Sequence, residues 1–395
     1  MMAGKKLWDK GYSIDPTVEE FIVGDGYLLD LKLLRYDCTA SIAHAKMLAK
    51  IGVITQQELA KLVAELERIR KLSEQGRFPI FMDQEDSHTA IENELTKSLG
   101  EIGKKIHTGR SRNDQVLTAL RLYYKDNLKA CIALAKSYIH ALNYFSNKYG
   151  DVALPGYTHM RKAMPSSVKL WAGAFMDSMQ DNIKLLEDAL WLADQSPLGT
   201  GAGYGSPIKL DREFTAKELG FSRIQQNSIY AQLSRGKFEA TILHALSQVM
   251  FDLNKAASDL LLFTMPEFGY YELPGSFTTG SSMMPNKRNP DVLEVMRAKY
   301  HTVVACEAEV KALTADLPTG YNADLALTKG PVMRGFEITL QSLKVAALLF
   351  KGLKADRVIC KKAMTKDIYA TEQVYKLVGR GVPFRDAYKK VAKEL

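Results

Sequence analysis

Apolar residues in this chain recur at spacings of three and four, and alternating apolar and polar runs are scarce, so the pattern predicts helices rather than sheets. Trp171, Phe175, Met179, Ile183, Leu186 and Leu190 fall on one face of a long helix, and Ile242, Leu246, Val249, Leu253 and Leu260 do the same in a second. Further stretches of this kind run from about Val116 to Tyr149, from Val292 to Leu313 and from Met333 to Leu353. All are well above the mean length of a globular helix. Helices so long, each apolar along one stripe, need bundle partners. About the first hundred residues carry shorter helical stretches, such as the one that Thr55 and Glu58 are placed to cap, and they read as a separate smaller unit.

The breaks between the long helices are abrupt and polar. They cover Leu154 to Pro165, Ser196 to Pro207, Gly280 to Pro290 and Asp316 to Asp324. In the second, Gly199, Gly201, Gly203 and Gly205 put a glycine at every other position. No strand precedes this run and no βαβ unit follows it, so it is not a dinucleotide-binding fingerprint. A flexible connection is its plain reading. Internal repeats and low-complexity segments are absent.

Composition narrows the class. A chain of 395 residues with 46% hydrophobic and 25% charged residues can bury a sizeable core in two or three domains, and disorder is excluded. The net charge of +8 is spread among interspersed Lys, Arg, Asp and Glu with no basic tract, which points to attraction for acidic small molecules and away from a nucleic-acid partner. Cys38, Cys131, Cys306 and Cys360 show neither short pairing nor metal-ligand spacing, so a reduced, cytoplasmic protein is expected. No charged-then-apolar leader and no apolar run near eighteen residues is present, so neither export nor a membrane is indicated. The seven histidines include no HExxH pair, and nothing asks for a metal.

Three polar clusters sit in or beside these breaks. Gly280-Ser281-Ser282-Met283-Met284-Pro285-Asn286-Lys287-Arg288-Asn289-Pro290 crowds hydroxyls, a lysine and asparagines between a glycine and two prolines, which predicts an exposed polar loop. Asn289 then serves as N-cap and Pro290 as the first helical residue of the stretch that follows. A solvated, well-capped linker would have the same composition. His107-Thr108-Gly109-Arg110-Ser111-Arg112-Asn113-Asp114-Gln115-Val116 places two arginines around a serine at a helix start. Guanidinium forks bind carboxylates bidentately, so the cluster suits a substrate with several carboxylates. Ser111 and Asp114 also fit a capping box before Val116, and both readings can hold together. Pro155-Gly156-Tyr157-Thr158-His159-Met160 sets a histidine after a Pro-Gly turn, where it is either a hydrogen-bonded core residue or a proton-transfer group.

These clusters carry a resemblance. The first resembles the GSSxMPxKxNP signature of the fumarase/aspartase superfamily at every fixed position, and His107 to Val116 is similar to the HTGRSRNDQV segment of the argininosuccinate lyase family at all ten. The third resembles that family's PGYTHLQ region. Further likeness runs through Leu7-Trp8, Tyr36-Asp37 and Ser41 to Leu48, then Ser196 to Gly199, Asp211-Arg212 and Gly381 to Arg385. The resemblance implies an all-α fold with a long central helical bundle over 108–355, a helical N-terminal domain over 1–107 and an apparently short C-terminal domain over 356–395. It implies a homotetramer whose composite sites form where three subunits meet, acting on argininosuccinate with no cofactor.

The same resemblance assigns roles. Ser281 is the base, and Lys287 and Asn289 meet the charge of an aci-carboxylate. His159, oriented by Glu294, takes part in proton transfer, although the identity of the general acid stays open. Arg110, Ser111, Arg112, Asn113, Thr158, Tyr321 and Lys329 hold substrate. The chain departs from the family at Ala326, where a substrate-contacting glutamine is usual, at Gly236, where an aspartate is usual, and in its early stop after Arg385. Two other readings stay in view: another fumarate-releasing lyase of the superfamily, against which the match from His107 to Val116 weighs, and a catalytically impaired structural homologue, which those departures make conceivable.

Overall fold

The computed structural model describes residues 14–395, so the Leu7-Trp8 likeness lies outside the described residues. The chain is all-α in class. Short helices come first: α1 (Pro16–Val23), α2 (Gly26–Asp30), α3 (Leu34–Lys50), α4 (Gln56–Glu74), α5 (Ser87–Leu99) and α6 (Glu101–Lys104). Then follow α7 (Arg112–Tyr149), α8 (Val168–Ala193), α9 (Arg212–Glu218), α10 (Ser228–Leu233), α11 (Lys237–Phe263), α12 (Asp291–Thr314) and α13 (Lys329–Gly352). The last are α14 (Arg357–Ala363), α15 (Ala370–Val378) and α16 (Phe384–Ala392). The predicted apolar stripe of α11 is wholly buried, each of its five residues at most 1% exposed, and in α8 Met179, Ile183 and Leu186 are buried in the same way. Strands are confined to a hairpin of β1 (Ala153–Thr158) and β2 (Arg161–Ser167) and to two-residue ladders among the described residues.

Two compact units arise. One gathers residues up to 130 with 186–245 and 304–336; the other gathers 131–185, 246–303 and 337–395. In the first, α3, α4 and α5 close over Leu34, Leu48, Leu62, Leu66, Ile69, Ile91 and Leu95. The capping box expected at the start of α4 is present: the Glu58 N–H donates to Thr55 Oγ1 at 3.2 Å and the Thr55 N–H to Glu58 Oε2 at 2.8 Å. In the second unit Trp171 packs among Phe175, Phe263, Tyr271 and Phe350, and its Nε1 donates to Asp259 at 2.8 Å. An indole N–H needs such a partner when its ring is packed away from water.

The glycine run is not a flexible connection. Gly199, Gly201, Gly203 and Gly205 all have positive φ, between +60° and +109°, a region that residues with a Cβ rarely enter. Their N–H groups are bonded: those of Gly199 and Gly201 donate to Asp114 Oδ2 at 2.9 and 3.0 Å, and those of Gly203 and Gly205 to Thr200 O at 3.1 and 2.9 Å. The alternation therefore encodes a fixed, tightly folded loop. The break from Leu154 to Pro165 is likewise ordered, as the β1–β2 hairpin.

Candidate active site

The predicted residues fall into two groups, one in each unit. In the first unit Ser111 is the N-cap of α7. Its Oγ accepts the Asn113 N–H at 3.3 Å, and its own N–H donates to Asp114 Oδ1 at 2.9 Å. That reciprocal pair starts the helix four residues before Val116 and fixes Arg112 and Asn113 in its first turn. Asp114 is fully buried, and by gripping both Ser111 and the glycine loop it ties the start of α7 to residues 199–201. Burial raises the pKa of this carboxyl above the usual carboxylate range against the opposing pull of its three N–H donors.

Arg112 is half-buried and engaged within the chain. Its Nε donates to Asp86 Oδ2 at 2.8 Å and its Nη1 to Glu85 Oε2 at 3.0 Å. Burial opposes the guanidinium charge, but Asp86 and Glu85 hold its pKa above the ordinary value. Arg110 donates to Ser41 Oγ at 2.9 Å, and burial pushes its pKa down. Lys329 is 7% exposed and donates from Nζ to Asp30 Oδ1 at 2.6 Å. An ammonium has three N–H donors, so this bond leaves two for another acceptor. Tyr321 is 41% exposed and lies beneath the Arg235 guanidinium, 5.3 Å from its ring centre. Arg235 also donates to Leu325 O at 3.0 Å, which fastens the short 3-10 helix Ala323–Thr328, where Ala326 is exposed.

In the second unit Thr158 and His159 stand at the tip of the β1–β2 hairpin. Thr158 pairs directly with Arg161, leaving His159 and Met160 as a two-residue turn with φ of 51° and 58°. Two consecutive positive φ values match the right-handed twist of a hairpin, but the turn favours Asn and Gly. Here His and Met occupy it, with the His159 ring exposed. Strain of this kind gathers at functional sites. A register shift between Gly156 and Tyr157 adds a bulge below the tip, and Lys162 anchors the base by donating to Ala363 O at 2.7 Å.

The signature loop is pinned at its base. Thr279 pairs with Asn289 and Gly280 with Arg288, so the loop between them is the end of a short antiparallel ladder of β6 (Thr279–Gly280) and β7 (Arg288–Asn289). This pairing corrects the expected cap. Asn289 belongs to the ladder, its amide directed at Gly280 O at 3.4 Å, and α12 begins one residue later than expected, with Pro290 O accepting the first helical N–H. Ser281 is half-buried, and its Oγ accepts two backbone N–H bonds, from Met284 at 3.0 Å and Met283 at 3.3 Å. Lys287 is exposed on the same loop, and Glu294 is exposed one turn into α12. Within the chain the Glu294 and His159 side chains make no hydrogen bond to each other.

Sequence reasoning gave no role to Asp30, Asp86 and His88: Asp30 pairs with Lys329, Asp86 with Arg112, and His88 lies against Asp37. Asp86 is the N-cap of α5, accepting from the Thr89 N–H at 2.8 Å, which is the only local signal any of them gives.

A family model described as "Lyase" matches residues 17–305. The argininosuccinate lyase of Thermotoga neapolitana is 50% identical over 390 residues, covering 99% of this chain and 98% of that protein. The argininosuccinate lyase of Sorangium cellulosum is 45% identical over 99% of the chain and 90% of its own length, and that of Xylella fastidiosa strain Temecula1 is 43% identical over 98% and 87%. Among solved structures, EDDS lyase in complex with formate superposes with a TM-score of 0.82 at 23% identity, over 96% of this chain and 76% of that one. The class II fumarase of Schistosoma mansoni gives 0.78 at 15% identity, over 92% and 87%. At these identities the structural likeness is one of fold.

Proposed function

The chain belongs to the argininosuccinate lyase family, and from that premise we propose that it splits argininosuccinate reversibly into arginine and fumarate. The reaction is an anti elimination. A base takes the proton from the carbon beside a carboxylate, the electron pair becomes the carbon–carbon double bond, and the bond to the guanidinium nitrogen breaks as that nitrogen gains a proton. The carbanion is high in energy unless its charge spreads into the carboxylate, so fixed cations and N–H donors must face it.

The observation that carries the assignment is the setting of Ser281. A serine hydroxyl is a poor base at its ordinary pKa, and its alkoxide needs donors. Two backbone N–H groups already point at Ser281 Oγ, on a loop whose base is held by a ladder. Lys287 of that loop and Asn289 at its base are the groups proposed to meet the aci-carboxylate. Closure of the exposed loop over substrate would exclude water and strengthen each of these interactions.

His159, held at a strained tip, is proposed to protonate the departing nitrogen, with Glu294 orienting it. The two side chains do not meet within one chain, and we propose that they pair in a homotetramer with composite sites. Exposed apolar side chains on long helices support it: Leu170 is 66% exposed, Val295 51% and Leu348 57%. Arg110, Ser111, Arg112, Asn113, Thr158, Tyr321 and Lys329 are proposed to hold substrate carboxylates and the arginine end, with no cofactor. The four cysteines are free and buried, which supports a reducing, cytoplasmic setting, with the reaction serving as the last step of arginine synthesis. No helix of the described residues is long and apolar enough to cross a membrane.

The test is direct. Fumarate release is measured with argininosuccinate, adenylosuccinate and aspartate in parallel. Release from argininosuccinate alone is expected; release only from another substrate would move the chain to a different activity, and none from any would mark an inactive homologue.

A further inference from the structure

The first turn of α5 carries more buried polar chemistry than a helix cap requires. Asp86, the N-cap, takes Arg112 Nε at 2.8 Å. The Ser87 N–H donates to Asp30 Oδ2 at 3.2 Å, while Asp30 Oδ1 receives Lys329 Nζ at 2.6 Å. Ser87 Oγ donates to Asp37 Oδ2 at 3.0 Å, and that same oxygen lies 2.5 Å from His88 Nδ1. Asp30, Asp37, Ser87 and His88 are each at most 5% exposed. Of this set, the mechanism above uses only Arg112 and Lys329.

Three carboxylates lie close together here, and a buried charge left without a partner is strongly unfavourable. Arg112 matches Asp86 and Lys329 matches Asp30. Asp37 is left with His88, and with Arg110 at longer range. The carboxylates facing His88 are Asp37 from α3, Asp30 from α2 and Asp86 at its own helix start, and behind them stand the cations Lys329 on Asp30, Arg112 on Asp86 and Arg110 near Asp37. If His88 were neutral, Asp37 would compete for the nearest remaining cations, and Lys329 is linked to it through two residues, Ser87 and Asp30.

We infer that His88 is a positioning residue for substrate binding: as an imidazolium it balances the charge of Asp37, and so leaves Lys329 on Asp30 with its remaining donors available to substrate. The inference rests on the reading of Lys329 as a substrate contact. Burial works against the charged imidazole, but Asp37, Asp86 and Asp30 outweigh it and hold the His88 pKa above its usual value. His88 therefore loses its proton only on the alkaline side of a free histidine, and substrate binding should weaken there.

The experiment measures KM and kcat from about pH 6 to about pH 9 for the wild-type enzyme, His88→Gln, Ser87→Ala and Lys329→Met. His88→Gln is expected to raise KM about tenfold with kcat within about twofold, and to abolish the alkaline rise in KM that the wild type shows. Ser87→Ala keeps the imidazolium and should raise KM less while retaining the alkaline rise. Wild-type KM and an unchanged alkaline rise in His88→Gln would overturn the inference. If His88→Gln does not fold, judged by circular dichroism, a wild-type KM constant across the range overturns it instead. Lys329→Met separates the two readings: an unaltered KM in this variant removes Lys329 as a substrate contact, whereas a raised KM there with a normal His88→Gln defeats the positioning role alone.

Discussion

A Cβ placed on Gly236 would stand 2.3 Å from Thr314 Oγ1 and 2.6 Å from Thr314 Cβ. Gly236 has φ of +82° and caps α11, its N–H donating to Glu239 Oε2 at 2.7 Å. The family's usual aspartate thus has no room at this position in this chain. Gly236→Asp is expected to lower stability by about 1–3 kcal/mol, from overpacking and a left-handed backbone. Thermal unfolding tests it, and Gly236→Asp combined with Thr314→Ala should recover part of the loss. A single variant as stable as the parent would mean that the turn rearranges.

Met160 occupies the second position of the hairpin turn with φ of 58° and is 66% exposed. A left-handed conformation costs a residue with a Cβ about 1–2 kcal/mol, and the added chain entropy of glycine offsets roughly 0.5–1 kcal/mol of the relief. Met160→Gly should therefore raise stability by on the order of 0.5 kcal/mol. A lower Tm would show that Met160 packs on a neighbour, and the oligomer would be where to look.

Ser281 is half-buried on a polar loop and is not a core residue, so Ser281→Ala should keep the circular dichroism and the elution volume of the parent. Turnover should fall by at least about 10²–10⁴, the range for removing a group that transfers the proton. Activity within a few-fold of the parent would end its assignment as base.

Ala326 is exposed on a 3-10 helix that Arg235 fastens through Leu325 O. A restored amide donor to a substrate carboxylate is worth about 1–3 kcal/mol, so Ala326→Gln should raise kcat/KM by roughly tenfold. An unchanged value in a fully assembled enzyme would show that Tyr321 and Lys329 also meet substrate differently.

Asp86 contributes to the acid limit of the first unit. Burial raises the pKa of its carboxyl, but His88, Arg112 and the Thr89 N–H hold it below the usual value of 3.8. A depressed folded-state pKa gives stability that is complete above the unfolded value and is lost as pH falls through the folded one. Acid unfolding followed by fluorescence should therefore steepen below about pH 4, and Asp86→Asn should flatten that limb while lowering stability at neutral pH.

The chain's helical class was legible in the sequence because a 3.6-residue period is written by each helix alone. The apolar stripes of α8 and α11, the Thr55 cap and the Ser111–Asp114 pair all depend on residues within a few positions of each other. The polar loop bearing Ser281 and Lys287 could be read for the same reason. What only the tertiary structure decided is which distant groups those residues meet. Lys329 pairs with Asp30 across 299 positions, and Gly199 with Asp114 across 85, and no local pattern encodes either. Burial then fixes the outcome: once such groups leave water, each charge and each N–H must find its partner within the fold. For that reason four alternate glycines became a rigid loop instead of a flexible connection, and His88, a lone histidine in the sequence, came to lie against the buried Asp37.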